Sequence, residues 1–143
     1  MIEFGERLAG VVYQERPGAY AIIQNSSSTI AVLRTKNGVF LPGGGVEPGE
    51  SFETALQREI LEEIGYSADI SAKVGSAAQY LRGKSGTKYF RKTGHFYLAS
   101  LIQKIVDPLN LDHQLVWCPP NDAVKMLSHE FQSWAVRQAF PAS

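Results

Sequence analysis

Seven residues that can bind charge or bend backbone stand at fixed offsets within the 23 positions from Gly44 to Tyr66: Gly44, Glu50, Arg58, Glu59, Glu62, Glu63 and Gly65. At ordinary residue usage, a chance match at one start position is on the order of 10⁻⁹. Glu59, Glu62 and Glu63 carry the chemistry. On a helix they lie at i, i+3 and i+4, so their carboxylates are neighbours. Like charges at that spacing cost an isolated helix roughly 0.2–0.5 kcal/mol per pair. They also sit toward the helix C-terminus, where the macrodipole disfavours anions. A hard cation with oxygen ligands offsets both penalties. Mg²⁺ fits, and Mn²⁺ is the alternative, because such ions take a few carboxylates plus substrate phosphates. A bare Glu-x-x-Glu-Glu is more often a solvated acidic face, but the complete spacing outweighs that reading.

The elements that must position these groups are legible around them. Phe52, Leu56, Ile60 and Ile64 recur every four residues, with Ala55 beside them, and predict a helix from Ser51 to Ile64 with one apolar stripe. Ser51 is placed to cap its start and Gly65 to end it in the left-handed conformation. The preceding loop, Leu41 to Gly49, holds four glycines and two prolines in nine residues, so its backbone can approach a ligand closely. Arg58 is not a metal ligand; a guanidinium holds carboxylates bidentately, and its expected role is to orient Glu59 or Glu50.

The Gly44–Tyr66 pattern resembles the Nudix box, the signature of the Nudix hydrolase superfamily. Every charged and glycine position of the box is present, and only Tyr66 departs, standing where the family usually has an aliphatic residue. The resemblance implies divalent-metal-dependent cleavage of a nucleoside diphosphate linked to another moiety, and an α/β/α sandwich with the box helix packed on a mixed sheet. It also implies that the Gly44 carbonyl joins Glu59, Glu62 and Glu63 as a metal ligand. Many Nudix proteins carry an acidic residue upstream of a tryptophan on a later strand. Asp112, before Trp117, is the corresponding candidate for a second metal or a base, against the simpler reading of a turn residue. For the general base the order of expectation is Glu59, Glu62, Asp112. The markers of the coenzyme A, NADH and ADP-ribose branches are missing. Tyr80 falls slightly short of the tyrosine position of dinucleoside polyphosphate hydrolases. Nucleoside triphosphates, oxidised ones included, remain as the expected substrates, as in short bacterial MutT-type proteins. The alternatives are a dinucleoside polyphosphate hydrolase, a regulatory nucleotide-binding Nudix domain without turnover, or a decapping-type enzyme. The full set of box glutamates argues against the second, and the neutral net charge mildly against the third.

Charge sums to zero over the chain, so no global drive toward nucleic acid or membrane exists. Its distribution is uneven. No acid occurs between Ile70 and Val106, where Lys73, Arg82, Lys84, Lys88, Arg91, Lys92 and Lys104 all lie. The segment Arg82–Gly94 reads as an irregular basic loop. Arg82, Lys88 and Arg91 are candidate polyphosphate contacts, with an aromatic such as Tyr80 stacking a base; the competing reading is a solvated loop. His95 reads as structural, His129 as the cap of a last helix, and the single cysteine, Cys118, as a buried strand-end thiol.

At 143 residues, with 44% hydrophobic and 20% charged content, the expectation is one domain, residues 1–143, with a real core. No secretory leader or membrane-length apolar run is visible, which predicts a cytoplasmic enzyme acting on a nucleotide as monomer or homodimer. Strands are expected at 11–13, 19–24, 29–34, 68–74, 76–81, 95–102 and 115–118. The second and third would form a hairpin across Asn25–Ser28. Helices are expected near 121–127 and 129–140, the last with Phe131, Trp134, Ala135 and Gln138 to one side. Strands, a helix, more strands, then helices give an α+β or layered sandwich class.

Overall fold

The computed structural model describes residues 1–109 and 111–141. The helix of the acidic face, α1 (Phe52–Ile64), forms where its stripe predicts. Ser51 Oγ accepts from the Thr54 amide at 3.1 Å. Gly65 closes the other end at φ 83°, its N–H donating to Ile60 and Leu61 carbonyls. Ala55, Leu56, Ile60 and Ile64 are the residues α1 buries.

That stripe packs on a five-stranded sheet. Its strands are β1 (Ile2–Phe4), β2 (Gln14–Ile23), β5 (Gly43–Gly45), β6 (Tyr66–Arg82) and β7 (Tyr89–Lys104). The order is β1-β6-β7-β2-β5. The sheet is mixed: β2 runs parallel to β7 and β1 to β6, while β6–β7 and β2–β5 are antiparallel. A second sheet, β4-β3-β8, joins β3 (Ile30–Thr35) to β4 (Gly38–Phe40) and β8 (Gln114–Cys118). Helices α2 (Pro120–Met126) and α3 (Glu130–Ala139) complete the chain.

Period-2 alternation on the strands makes two cores. Ala19, Ala21 and Ile23 of β2 join Tyr97 and Ala99 of β7 beneath Leu56 and Ile60 of α1. The residues of opposite parity, Tyr20, Ile22 and Phe96, face Phe131, Ala135 and Val136 of α3. Helix, sheet and helix therefore stack as an α/β/α sandwich. No helix among the described residues is long and apolar enough to cross a membrane.

Several expectations are corrected. Residues 11–13 are not a strand; β2 starts at Gln14 and runs through Pro17. The proline is tolerated because its carbonyl accepts from Val46 N on the β5 side, just past the last β2–β5 pair, Gly18–Gly45. Its missing N–H thus falls where that ladder ends. The expected hairpin shrinks to one bridge, Gln24–Ile30, after which β2 and β3 enter different sheets. Asn25 Oδ1 still organises the turn, accepting from the amides of Ser27 and Thr29 at 3.0 and 3.1 Å. The strands expected at 68–74 and 76–81 are one strand, β6, interrupted by register shifts rather than a break. On α3, Gln138 is exposed and Gln132 is buried.

Candidate functional site: an acidic helix against a glycine strand

Arg58 organises the acidic face. Its Nε and Nη2 each stand 2.9 Å from a different oxygen of Glu50, and Nη2 also donates to the Gly45 carbonyl at 3.0 Å. Nη1 lies 3.0 Å from Glu59 Oε1 and 3.7 Å from Glu62 Oε1. This bidentate hold lowers the Glu50 pKa to about 2. The expected orienting role of Arg58 therefore has its geometry.

Glu59 and Glu63 are in a different state. Burial raises the pKa of Glu59 despite its contact with Arg58. Glu63 goes to about 8, driven first by burial and then by the charges of Glu59 and Glu62. The Gly43 amide, donating to Glu63 Oε1 at 2.8 Å, offsets only part of this. The buried Tyr20 has its hydroxyl pKa raised by burial and by the same two carboxylates.

Gly44 brings β5 against this cluster. A Cβ built there would lie 2.7 Å from Glu59 Cδ and 2.8 Å from both its carboxylate oxygens. Only glycine leaves the carboxylate lying on the backbone at that point. Gly44→Ala is expected to displace Glu59, lower activity by roughly 10–100-fold, and leave melting nearly unchanged, since the obstructing atoms end a flexible side chain. Parallel thermal melts and turnover measurements check both halves.

The donors suit a hard divalent ion: Glu59 and Glu63, whose pKa values burial raises, beside the half-buried backbone of Gly43 and Gly44. Among the described residues, no three His, Cys, Asp or Glu side chains are already gathered around one point. Glu59 and Glu62 are turned to Arg58, and Glu63 to the Gly43 amide.

A cavity of about 400 Å³ opens beside Gly43–Val46 and Glu63. Arg16, Lys92, Phe40, His113, His129 and Gln132 also line it. Of the cations expected to hold phosphate, none lines it. Arg91 pairs with Glu3 at 3.0 Å and Glu15 at 3.2 Å. Tyr80 donates to Glu3 at 2.7 Å. Arg82 donates to the Gly86 carbonyl and lies over the Tyr89 ring, and Lys88 is exposed in the hairpin turn. The reason is that the irregular turn spans only residues 83–88, and Tyr89–Gly94 is strand. Successive residues alternate faces, so Arg91 points away from the cavity that its neighbour Lys92 lines. Asp112 is exposed in the turn before β8, and the cavity takes His113 instead. His129 does precede α3, but its side chain makes no capping bond. It lines the cavity, its ring centroid 5.1 Å from that of Phe40. His95 stacks on Phe52 at 3.8 Å, and Cys118 is a buried free thiol, as expected.

The layered fold and this site define a class: a carboxylate-bearing helix set against a glycine strand at the mouth of a nucleotide-sized cavity. Residues 9–140 match the family model described as the NUDIX domain, and the chain belongs to that family. It is 43% identical over 86 residues to a candidate 8-oxo-dGTP diphosphatase of Bacillus subtilis, covering 59% of this chain and 52% of that protein. It is 46% identical over 57 residues to nucleoside triphosphatase NudI of an Enterobacter species, covering 36% and 40%. The chain thus spans about half or less of these curated relatives. The crystal structure of a MutT protein from Methanosarcina mazei superposes with a TM-score of 0.73 at 19% identity, over 91% of this chain and 96% of that one. It shares the fold.

Proposed function

We propose that the chain hydrolyses a phosphoanhydride bond of a nucleoside triphosphate, using Mg²⁺ or Mn²⁺. The observation that supports this most is the pair of desolvated carboxylates, Glu59 and Glu63, packed against Gly43 and Gly44 where the cavity opens. The names of the two curated relatives point to the same substrate class. Glu59, Glu62, Glu63 and the Gly44 carbonyl would hold the ion. When bound, it neutralises phosphate charge and acidifies water.

The chain's own residues do the rest. Glu59 accepts the proton of the attacking water. Arg58 fixes Glu59 through Nη1 while Glu50 anchors the other edge of the guanidinium. The glycine strand keeps the phosphate path free of side chains. Wall residues beyond it receive the nucleoside.

A panel of nucleoside triphosphates, dinucleoside polyphosphates and nucleoside diphosphate sugars, assayed for released phosphate and pyrophosphate, tests the proposal. Triphosphates should be cleaved with Mg²⁺ and spared in excess EDTA. Turnover that persists in EDTA would refute the metal-centred mechanism. Binding without cleavage of any panel member would mean a nucleotide-binding domain without turnover.

A further inference from the structure

The cavity holds two cations that no acid neutralises among the described ion pairs. Arg16 and Lys92 are register partners on β2 and β7, side by side on the face that lines the cavity. Arg16, exposed to solvent, lies over the Phe90 ring at 4.8 Å and among the described residues reaches only Gln14 Oε1, at 3.4 Å. Lys92 is half-buried, and burial together with Arg16 lowers its pKa. A half-buried ammonium without an acceptor is unfavourable until something supplies one.

Three of the surrounding acceptors are already engaged. Gln132 Oε1 takes the Leu41 amide at 2.7 Å. Glu63 Oε1 takes the Gly43 amide. Thr35 Oγ1 takes the Asn37 amide. His129 supplies no negative charge, and burial with the charge of Lys92 keeps it neutral, its pKa near 4. Lys92 and Arg16 therefore present donors to the cavity. Elsewhere on its wall are the neutral imidazole of His129 and the Nδ1 of His113, unpartnered among the described residues, with the flat faces of Phe40 and His129 close together.

Distance separates these donors from the phosphates. Gly44 is on β5 and Lys92 on β7, with β2 between them. Two strand spacings sideways and three residues along β2, from the Ala19 level of Gly44 to the Arg16 level of Lys92, come to roughly 14 Å between backbones, and the long Lys92 side chain shortens this toward the reach from a phosphate across the sugar to the base. Resting on the nucleotide reading above, we infer that Lys92, assisted by Arg16, is the specificity-determining residue for the base. The cavity takes nucleobases that turn carbonyl oxygens toward it, of the guanine, uracil and thymine kind. Adenine and cytosine turn an amino donor to the same wall, leaving donors facing donors. Lysine and arginine favour guanine O6 and N7 in the same way wherever they read base edges.

The test uses the full chain, K92M, and Lys92→Gln as a second variant, each first checked for a cooperative melt. One arm measures kcat/KM with Mg²⁺ for dGTP against dATP and for dUTP against dCTP. The other measures Kd for dGMP and dAMP by calorimetry in EDTA. The wild type should favour the carbonyl member by about tenfold or more, and both variants should bring the ratios to within about threefold of one. Equal loss on all four triphosphates would make Lys92 a phosphate contact and overturn the inference. If no triphosphate is cleaved, the hydrolase proposal fails and the calorimetry decides alone. A dGMP preference lost in the variants then supports the inference, and equal or undetectable binding of both nucleotides overturns it.

Discussion

Replacing Glu63 with glutamine is expected to lower Mg²⁺-dependent turnover by about 100-fold or more, the equivalent of roughly 3 kcal/mol, while stabilising the metal-free protein at alkaline pH. The stability half follows from the sign of the pKa shift. In the folded chain Glu63 titrates at about 8, well above its ordinary value of 4.5. Below pH 4.5 it is neutral folded or unfolded and contributes nothing. As pH rises toward 8 the unfolded chain releases the proton more readily, so the folded state loses ground. Glutamine removes that loss and can still accept from Gly43. In EDTA, Glu63→Gln should therefore melt higher at pH 8–9, by on the order of 2 kcal/mol, and close to wild type near pH 4.5. Melts across pH together with turnover per folded molecule check both. A collapse of melting at every pH with activity retained would make Glu63 structural.

Gly43→Ala should act in the opposite way, removing the fold before the chemistry. Gly43 has φ +136°, and a Cβ there would run into the Ala19 carbonyl oxygen and lie 2.7 Å from Tyr20 Cα. Both obstructions are backbone of β2, which cannot turn aside. The expected loss is roughly 3 kcal/mol or more, a melting shift of about 10 °C. The Gly43 amide that restrains Glu63 would move with it. Neighbouring glycines thus separate two demands: Gly43 serves the strand pairing, and Gly44 makes room for Glu59. A melt of Gly43→Ala within a degree of wild type would refute the clash.

The acidic helix was readable because everything that makes it is local. Its stripe, its serine cap, its glycine stop and its carboxylates all lie between Ser51 and Gly65. The cavity wall was not readable, because its logic is long-range. Arg91 looks like a phosphate ligand until Glu3 and Glu15, 88 and 76 residues away, are brought to it. Lys92 is indistinguishable from its basic neighbours until the segment is recognised as strand and alternation separates the faces. Polar residues on both faces of β7 near Arg91 hide that period. Gln79 and Gln132 are buried for a reason that composition does not carry. Each satisfies the backbone amide of a distant segment, Phe131 and Leu41 respectively. The expected strands at 11–13 and 19–24 leave Pro17 between them because a proline reads as a stop unless the end of a neighbouring strand is known.

The opposition of Arg91 and Lys92 on one strand bears on how such a protein diverges. The outward residue fastens β1 through Glu3, and the inward one lines the cavity. A point substitution at Lys92 or Arg16 alters the ligand environment and leaves that fastening in place. A one-residue insertion within the strand would swap the two sets together, losing anchor and wall at once. Variation accumulated by substitution is thus steered toward new substrates on an unchanged scaffold, and variation by insertion or deletion is pushed out of β7 into its turns.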